Sequence, residues 1–337
     1  MKAIVLVGGL GTRLRPLTDE TPKQLLPIVD RPMLEWVVAG LARHGVDEMI
    51  LSVGYRPDAF RAAYPDDCCA GVPLRYAVEP EPLDTAGAIR FAATEAGVDE
   101  RFVVVNGDVL TDLDVRALIS FHDEQRAEAT IALHKVDDPS RYGVVPTDGH
   151  GRVVAFVEKP PPGEAPTDLI NAGTYVLEPS VLDRIESGRR VSIERETFPA
   201  IVADGRLFAF DDGGVYWLDT GTPAAYVQAQ VDIIEGRRGA PADHAVAVDP
   251  SATIEGADVR ASVVRDGVSV GTGAVLERAV VLSGATIDAG VRIVDSVVGP
   301  GAVVGAGSVI EAGTLVGARQ HIAPGTHLHD ARVPGGD

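Results

Sequence analysis

The chain has 337 residues, of which 45% are apolar and 5% aromatic, and it carries a formal net charge of −19. This length allows one large and one smaller domain with aliphatic cores, and the acidity argues against a nucleic-acid partner, because a phosphate backbone requires a basic face. No apolar run approaches the roughly 18 residues of a membrane span, and the short apolar N-terminal stretch lacks a cleavage pattern, so we expect no membrane partner and a cytoplasmic location.

The cysteine content is low and its arrangement is unusual. The only two cysteines, Cys68 and Cys69, are adjacent in the sequence. A vicinal pair is a poor structural cross-link, so we expect a reducing compartment and no structural role for the thiols.

Short β-rich runs alternate with amphipathic helical stretches from residue 1 to residue 235. This alternation predicts an α/β domain with a Rossmann-like, mostly parallel sheet and helices on both faces. In such sheets, ligands bind at the carboxyl ends of the strands. The predicted strands are Ala3–Val7, Glu48–Val53, Leu74–Ala77, Phe102–Asn106, Ala129–His134, Val153–Glu158 and Ile170–Leu177, and the predicted helices are Pro32–His44, Ala86–Ala96 and Asp114–Glu124.

The pattern changes after residue 235, where residues 236–243 are predicted to form a linker. From 244 to 330, aliphatic residues recur every six positions among Gly, Ala and Ser, which predicts a C-terminal left-handed parallel β-helix, followed by a tail at 331–337. A Gly-rich disordered tail would contain fewer aliphatic residues. The repeated positions are Val248 and Ile254, then Val275, Val281, Ile287 and Ile293, and, after a shift of register, Val297, Val303, Val309 and Leu315.

A glycine-rich loop follows the first predicted strand. Gly8, Gly9 and Gly11 lack side chains, so backbone N–H groups can approach phosphate oxygens closely. Arg13 and Arg15 supply positive charge suited to a polyphosphate. The loop is neither a Walker A sequence nor a dinucleotide GxGxxG motif. It indicates a binding site for a nucleoside triphosphate.

Ordered motifs along the whole chain resemble the sugar-1-phosphate nucleotidyltransferases, also called nucleotide-sugar pyrophosphorylases. Within that family the chain is most similar to the mannose-1-phosphate guanylyltransferases, and a β-helix after the catalytic domain is common there. The motifs are GGLGTRLRPLT with the following PK, EPEPLDTAGAI (79–89), VVVNGDVL (103–110), RYGVVPTD (141–148), FVEKP (156–160), INAGTYVL (170–177), SIERETFPA (192–200) and YWLDTGTP (216–223).

The resemblance implies a reaction and a set of residue roles. An oxygen of a sugar 1-phosphate attacks the α-phosphorus of a nucleoside triphosphate and pyrophosphate leaves, so catalysis depends on positioning and on neutralising charge. Asp108 and Asp219 would bind Mg²⁺, a hard ion that prefers oxygen ligands. The implied catalytic set also includes Arg13 at the leaving pyrophosphate, Lys23 near the α-phosphate and Lys159 at the sugar phosphate.

Further positions are implied to bind the two substrates. The sugar site would contain Gly143, Glu158, Asn171 and Gly173, although a buried Glu–Asn pair could instead be an internal hydrogen-bond network. The nucleotide site would contain Gly8, Gly9, Gly11, Thr12, Arg13, Glu79, Thr85 and Gly87.

Glu79 occupies the position that reads the base edge in this family, where thymidylyl-type relatives carry Gln. A carboxylate only accepts hydrogen bonds. Guanine offers two adjacent donors, whereas thymine and uracil present one N–H flanked by carbonyls and adenine presents an acceptor. Glu79 therefore favours GTP, and with the family resemblance this predicts GDP-mannose as the product; an exposed loop glutamate with no such role is the alternative.

Two departures from the family pattern keep other reactions open. Asp84 replaces the usual glycine of L-G-T-A-G, and Lys23-Gln24 is more typical of the thymidylyltransferases. The alternatives are a dTTP-, UTP- or ATP-dependent glucose-1-phosphate enzyme and a guanylyltransferase for another sugar or cyclitol phosphate. A silent regulatory paralogue is disfavoured by the retained charged residues. Acyl transfer is disfavoured because the histidines of the predicted β-helix lie only at its ends, at His244, His321, His327 and His329. We expect the β-helix to mediate homo-oligomerisation.

Overall fold

The computed structural model of the chain describes residues 1–211, 213–238 and 247–335. Within them, the helices are α1 (Met33–Arg43), α2 (Pro57–Ala63), α3 (Asp84–Glu95), α4 (Val115–Gln125), α5 (Phe198–Ala203) and α6 (Pro223–Ile234). The strands of the first 219 residues are β1 (Lys2–Leu6), β2 (Pro27–Ile28), β3 (Arg31–Pro32), β4 (Glu48–Val53), β5 (Cys68–Cys69), β6 (Val72–Val78), β7 (Phe102–Asn106), β8 (Val109–Thr111), β9 (Ala129–Lys135), β10 (Gly143–Val144), β11 (Val157–Glu158), β12 (Leu169–Leu177), β13 (Leu207–Asp211) and β14 (Trp217–Asp219).

By their contacts, the residues group into two compact units. The first contains Met1–Gly9 and Leu34–Trp217, and the second contains Leu10–Met33 and Leu218–Asp337. The segment Leu10–Met33 therefore groups with the C-terminal part of the chain, which the contiguous boundaries of the sequence prediction did not anticipate. Those boundaries stay a prediction, and residues 239–243 of the predicted linker lie outside the described residues.

The first unit contains a mixed sheet with the predicted Rossmann-like centre. Strands β7, β1, β4 and β6 are parallel neighbours, and β12 pairs antiparallel to β7. The β1 residues Ala3, Ile4 and Val5 are fully buried, as expected for a strand that is covered on both faces. The α/β fold class is confirmed.

Most predicted elements lie within a few residues of the observed ones, with one exception. The predicted strand Val153–Glu158 is wrong over most of its length, because only Val157–Glu158 is a strand, while Val153 forms an isolated bridge with Thr147. Cys68 and Cys69 form β5 and carry free thiols. Burial raises the pKa of Cys69 to about 12, which makes it a poor nucleophile at neutral pH.

The second unit contains a hairpin, a helix and the coils. Strands β2 and β3 pair through a turn at Val29 and Asp30, and α6 is N-capped by Thr222. The coils build three parallel five-stranded sheets within the described residues, which is the predicted β-helix. Their strands are β15 (Thr253–Ile254), β16 (Asp258–Arg260), β17 (Val263–Val264), β18 (Ser269–Val270), β19 (Val275–Glu277), β20 (Val280–Val281), β21 (Thr286–Ile287), β22 (Arg292–Val294), β23 (Val297–Val298), β24 (Val303–Val304), β25 (Val309–Glu311), β26 (Leu315–Val316), β27 (His321–Ile322), β28 (His327–His329) and β29 (Arg332–Val333).

The predicted inward positions of the coils are only partly correct. Val281, Ile287 and Ile293 belong to the interior cluster as predicted. Val275 does not, because its neighbour Leu276 points inward, and the second predicted series is one residue early throughout. The interior residues there are Val298, Val304, Ile310 and Val316 rather than Val297, Val303, Val309 and Leu315. The inward positions were ambiguous because two aliphatic residues stand next to each other in most strands of the coils. Either residue of such a pair fits a six-residue period.

The coils also extend further than predicted at their C-terminal end. Strand β29 pairs in parallel with β26, so the β-helix continues beyond residue 330 into the predicted tail. None of the helices in the described ranges is long and apolar enough to cross a membrane.

Candidate active site

The predicted nucleotide residues of the first unit lie at the carboxyl edge of the sheet. Leu6 pairs with Asn106 and with Ser52, so Gly8 and Asp108 each follow the paired ends of neighbouring strands by two residues. A Cβ added at Gly107 would lie 2.8 Å from Val7 Cγ1. Glycine at 107 is therefore required for the close approach that brings Asp108 beside the end of β1.

Glu79 follows β6 at the same edge and faces the glycine loop. Its Oε1 accepts a hydrogen bond from Ser52 Oγ at 3.2 Å, and its Oε2 accepts one from Leu83 N–H at 3.1 Å. A Cβ added at Gly8 would lie 3.6 Å from Glu79 Oε1. The carboxylate is thus oriented by two donors, and each of its oxygens keeps acceptor capacity for a further donor.

The packing of the described residues does not explain why position 9 is a glycine. A Cβ added there would meet no described atom within 4 Å. A glycine that the fold does not need is typical of a backbone that a ligand approaches closely. This observation agrees with the predicted phosphate-binding role of the loop.

The N-terminus of α3 explains the Asp84 departure. Asp84 has φ +60°, a left-handed conformation that favours Gly but that Asp tolerates better than most residues. Its Oδ1 accepts a hydrogen bond from Thr85 N–H at 2.9 Å, while Ala86 N–H and Gly87 N–H both donate to the Val191 carbonyl. These three N–H groups are therefore bonded within the protein.

Thr85 and Gly87 also have structural roles at this helix. A Cβ at Gly87 would lie 2.8 Å from the Arg189 carbonyl oxygen, so the packing of α3 requires glycine. Thr85 Oγ1 donates to Glu194 Oε2 at 2.8 Å and accepts from Ile193 N–H. Their roles in nucleotide binding stay predictions.

Glu194 contacts the predicted nucleotide residue Thr85, and the sequence reasoning did not single it out. It lies in a π-helix, Ile193–Thr197, a rare element that is frequent at functional sites. Both Thr85 and Ser192 donate to its Oε2 at 2.8 Å. The charge of Glu194 acts on the hydroxyl of Tyr175 and, after burial, is the main reason that the Tyr175 pKa is raised. The SIERET motif was the available signal.

The predicted sugar residues Gly143 and Glu158 lie on the neighbouring strands β10 and β11, and Lys159, predicted at the sugar phosphate, directly follows β11. Gly143 pairs with Glu158, and a Cβ at Gly143 would lie 2.6 Å from Phe156 Cζ. Lys159 Nζ lies 3.1 Å from Glu158 Oε1, and its side chain is 61% exposed. Lys159 itself has φ +49°, an uncommon conformation that agrees with a functional position.

Asn171 and Gly173 form a bulge in β12. The pairing of β12 with β9 is irregular between Asn171 and Tyr175, and Gly173 N–H donates to Asn171 Oδ1 at 3.0 Å. A Cβ at Gly173 would lie 2.6 Å from Asn106 Nδ2, so the bulge packs on the end of β7. Asn171 Nδ2 donates to the buried Tyr175 hydroxyl at 2.8 Å.

Aromatic residues accompany this bulge. Trp217 Nε1–H donates to the Ala172 carbonyl at 2.9 Å. The indole stacks on His134 with ring centroids 5.1 Å apart and meets Tyr142 edge-on. Asn106, Tyr175 and Trp217 belong to the family-like motifs, but no feature of the sequence distinguishes them from their neighbours there.

The charged residues of the second unit converge on one carboxylate. Lys23 Nζ lies 3.8 Å from Asp219 Oδ1, and Arg13 Nη2 lies 3.9 Å from Asp219 Oδ2. The side chain of Lys23 is 6% exposed and that of Arg13 is 62% exposed. Three residues that are distant in sequence and were each predicted to be catalytic are thereby brought together.

Gly221 makes this convergence possible, and the sequence reasoning missed it. A Cβ there would lie 2.4 Å from Arg13 Nη2, 2.8 Å from Asp219 Oδ1 and 3.0 Å from Lys23 Nζ. The Gly221 N–H donates to Asp219 Oδ1 at 2.9 Å. Its position in the LDTGT stretch was the only signal.

The loop that carries Arg13 closes on itself. Gly11 has φ +61°, and its carbonyl accepts a hydrogen bond from Thr18 Oγ1 at 2.9 Å. A Cβ at Gly11 would lie 3.0 Å from Thr18 Cγ2 and 3.2 Å from Lys23 Cβ. Glycine at 11 thus serves both the backbone conformation and the packing, while the predicted nucleotide residue Thr12 is exposed.

Asp108, in the first unit, and Asp219, in the second, were predicted to bind a divalent ion. Among the described residues, no group of three or more His, Cys, Asp or Glu side chains is arranged to hold a metal. Two carboxylates completed by phosphate oxygens and water need no such group. Asp108 is partly buried at a strand end, and Asp219 lies beside the space left by Gly221. Each carboxylate supplies the oxygen donors that a hard divalent ion prefers, and their joint role as its ligands stays a prediction.

Comparison with known proteins shows which family the chain matches. The family model "Nucleotidyl transferase" matches residues 2–236, and "GMPPB C-terminal domain" matches residues 242–334. The mannose-1-phosphate guanylyltransferase of Mycobacterium tuberculosis is 40% identical over 301 residues, covering 82% of this chain and 83% of that protein. The mannose-1-phosphate guanyltransferase of Aspergillus fumigatus is 46% identical over 233 residues, covering 67% of this chain and 62% of that protein.

Solved structures are similar over the same share of the chain. HddC from Yersinia pseudotuberculosis complexed with GMP-PN has a TM-score of 0.59 and 31% identity, covering 68% of this chain and 97% of that one. A putative glucose-1-phosphate thymidylyltransferase from Bacillus anthracis, in complex with a sucrose, has a TM-score of 0.61 and 26% identity, covering 68% and 94%. Because the "Nucleotidyl transferase" model matches more than half of this chain, the chain belongs to the nucleotidyl transferase family of enzymes.

Proposed function

We propose that this enzyme transfers a guanylyl group from GTP to mannose 1-phosphate, giving GDP-mannose and pyrophosphate. The relatives at 40–46% identity bear the name of this activity, and HddC was solved with GMP-PN. The observation that carries the proposal is the convergence of Arg13 and Lys23 on Asp219, in the space left by Gly221.

The reaction needs positioning and charge neutralisation more than proton transfer. A phosphate oxygen of the sugar 1-phosphate, already anionic near neutral pH, attacks the α-phosphorus of GTP. The α–β phosphoanhydride bond breaks, and pyrophosphate leaves with the electron pair. Two polyanions must be held within about 3–3.5 Å of each other, so the chain's task is to offset their repulsion.

The residues of the second unit act on the triphosphate. Lys23 is buried and held by Asp219, so its ammonium group has a fixed position for the α-phosphate. Arg13 is exposed and can present its guanidinium to the leaving pyrophosphate. Asp108 and Asp219 would hold Mg²⁺, which supplies further neutralisation of phosphate charge when bound.

Residues of the first unit bind the sugar phosphate. Lys159 would pair with its phosphate, since the ammonium is exposed and held next to Glu158. Glu158 and Asn171 would bind sugar hydroxyls, and Gly143 and Gly173 allow the close packing that places them. Glu194 adds a second carboxylate near the Tyr175 hydroxyl.

Base choice rests on Glu79 beside the glycine loop. The Glu79→Gln variant replaces one acceptor by a donor, so we expect its kcat/KM with GTP to fall roughly ten- to hundredfold while dTTP and UTP gain relative to GTP. The test measures pyrophosphate release for five nucleotides crossed with several sugar phosphates. Glu81→Gln, an exposed neighbour, is the matched control.

One result would contradict the proposal. Wild-type preference for dTTP or UTP over GTP by about tenfold would remove the argument from Glu79. The same result would favour the second candidate, a thymidylyl- or uridylyltransferase that acts on glucose 1-phosphate. Two observations support this candidate: the Lys23-Gln24 sequence and the similarity to the Bacillus anthracis structure.

The proposal also includes a cytoplasmic location, which cell fractionation tests, and a homo-oligomer formed through the coils, which light scattering tests.

A further inference from the structure

The turn of the β2–β3 hairpin has a conformation that its own sequence does not favour. Val29 has φ +57°, although two-residue hairpin turns with positive φ favour Asn and Gly. A β-branched residue in this region is a genuine outlier and costs free energy. Something outside the turn must therefore hold it.

Side chains from two distant parts of the second unit bind the backbone of Val29. Its N–H donates to Gln230 Oε1 on α6, and its carbonyl accepts from Arg265 Nη1, next to β17, at 3.1 Å. Both side chains are largely buried, with Gln230 at 1% and Arg265 at 17% exposure. Both backbone polar groups of the strained residue are thus satisfied by side chains.

The same helix, α6, also binds the hairpin through hydrogen bonds to a second backbone carbonyl. Gln230 Nε2 donates to the Pro27 carbonyl at 2.9 Å, and the Tyr226 hydroxyl donates to the same oxygen. Leu26, just before the hairpin, donates its N–H to the Lys23 carbonyl at 3.1 Å. The backbone from Lys23 to Val29 is therefore fixed at its end by α6 and at its start by its own short helical turn.

Lys23 and Asp219 form a further contact between the hairpin segment, residues 22–33, and the segment that contains α6, residues 219–234. Asp219 precedes α6 by only a few residues, and Gln230 lies within α6. The segment 22–33 is thus joined to the segment 219–234 by the hydrogen bonds of α6 to the hairpin, by the Lys23–Asp219 pair in the candidate site, and by Thr220 Oγ1, which donates to Met33 Sδ at 3.1 Å. Releasing the hydrogen bonds of α6 would allow Lys23 to shift against Asp219.

We propose that Gln230 and Arg265 are positioning residues that hold Val29 in its strained conformation and thereby set the position of Lys23 for the nucleoside triphosphate. This inference rests on the proposed role of Lys23. Through Arg265, the first coils of the β-helix act directly on the nucleotide-binding segment. The positioning is independent of which base the enzyme reads.

The test compares steady-state constants of Gln230→Leu and Arg265→Met with the wild type, using the nucleotide that the wild type prefers. We expect the KM for that nucleotide to rise about tenfold or more, with the KM for the sugar phosphate changed less than twofold, since the predicted sugar residues belong to the other unit. Gln228→Leu is the matched control, because Gln228 is on the same helix and contacts Arg278 and Asp232 instead.

A rescue experiment separates positioning from general stability. Glycine adopts positive φ without strain, so Val29→Gly in the Gln230→Leu background should recover threefold or more of the lost nucleotide affinity. A lower Tm with unchanged KM in both single variants, or no rescue by Val29→Gly, would overturn the proposal. If Gln230→Leu does not fold, the same comparison is made between Arg265→Met and the double variant Arg265→Met with Val29→Gly. If the wild type is inactive with every nucleotide, the proposed function is refuted. The positioning would then be tested by comparing the nucleotide affinities of the wild type and the variants in binding titrations.

Discussion

At the scale of single residues, three charges approach closely because one residue has no side chain. Arg13, Lys23 and Asp219 would each lie within about 3 Å of a Cβ at Gly221. Lys23 is buried, so the carboxylate of Asp219 also offsets the cost of removing its ammonium group from water. Gly221 therefore determines the electrostatics of the site without carrying a charge.

Gly221→Ala should inactivate the enzyme while leaving its fold intact. The new methyl group would displace Arg13, Asp219 or Lys23, and a displacement of about 1 Å can cost roughly a hundredfold in rate. The measurement is kcat/KM for pyrophosphate release, together with a melting curve. Gly149→Ala is the control, since a Cβ there meets no described atom within 4 Å and its φ is not positive. Wild-type kcat/KM in Gly221→Ala would show that the convergence has no catalytic role.

The sequence predicted the charged residues of the site better than the residues that support them. Arg13, Lys23 and Asp219 lie in recognisable motifs, and the structure brings them together. Gly221 and Glu194 became evident only from three-dimensional proximity, because their roles depend on atoms far away in the sequence. Asp84 departs from the family pattern for a backbone reason, its left-handed φ, which the sequence does not reveal.

At the scale of elements, α4 packs on the sheet through a buried histidine. His122 Nδ1 lies 2.8 Å from Thr130 Oγ1 on β9, and its Nε2 lies 3.2 Å from Glu178 Oε1. Burial lowers the pKa of His122 below its ordinary value, although Glu178 partly opposes this. The ring is therefore neutral in the folded protein at neutral pH.

His122 should make the protein less stable as the pH falls. The unfolded chain binds a proton at this residue near pH 6.5, whereas the folded chain binds it only at lower pH, so stability is lost as the pH decreases below about 6.5. We expect His122→Gln to reduce the slope of Tm against pH between 7.5 and 5. His150→Gln, an exposed histidine, should keep the wild-type slope, and an unchanged slope in His122→Gln would contradict the assignment.

The elements themselves were largely predictable, and the exceptions have physical reasons. The parallel strands β1, β4 and β7 are short apolar runs because they are buried on both faces. In the coils, Val297 and Val298 are both buried, although only Val298 belongs to the interior cluster. Burial of outward residues made the inward register ambiguous.

At the scale of the whole molecule, the second unit buries one outer face of its coils. The outward residues Val263, Val280, Val297 and Leu315 are at most 1% exposed. This face neighbours α6 and the segment 10–33, since Arg278 binds Gln228 and a Cβ at Gly317 would lie 3.0 Å from Pro16 Cγ. The β-helix thus supports the loop that carries Arg13 and Lys23.

A charge on this face should destabilise the protein far more than a charge on another face. Val280→Asp would bury an unpaired carboxylate and should lower the free energy of unfolding by about 3 kcal/mol or more. Val303→Asp, at a half-buried outward position, should cost about 1 kcal/mol or less. Urea unfolding of the two variants measures the difference, and equal losses would show that the face is not covered.

The grouping of residues 10–33 with the C-terminal half affects how the protein is made. The hydrogen-bond partners of Val29, Gln230 and Arg265, lie 201 and 236 positions further along the chain. During synthesis on the ribosome, these bonds can therefore both be made only after residue 265 has emerged. Contacts of such long sequence separation form late and slowly, and N-terminal regions otherwise fold first during translation. The nascent chain therefore cannot hold Val29 in its folded conformation before Arg265 has been synthesised, and a message truncated before that codon yields a chain that lacks this contact.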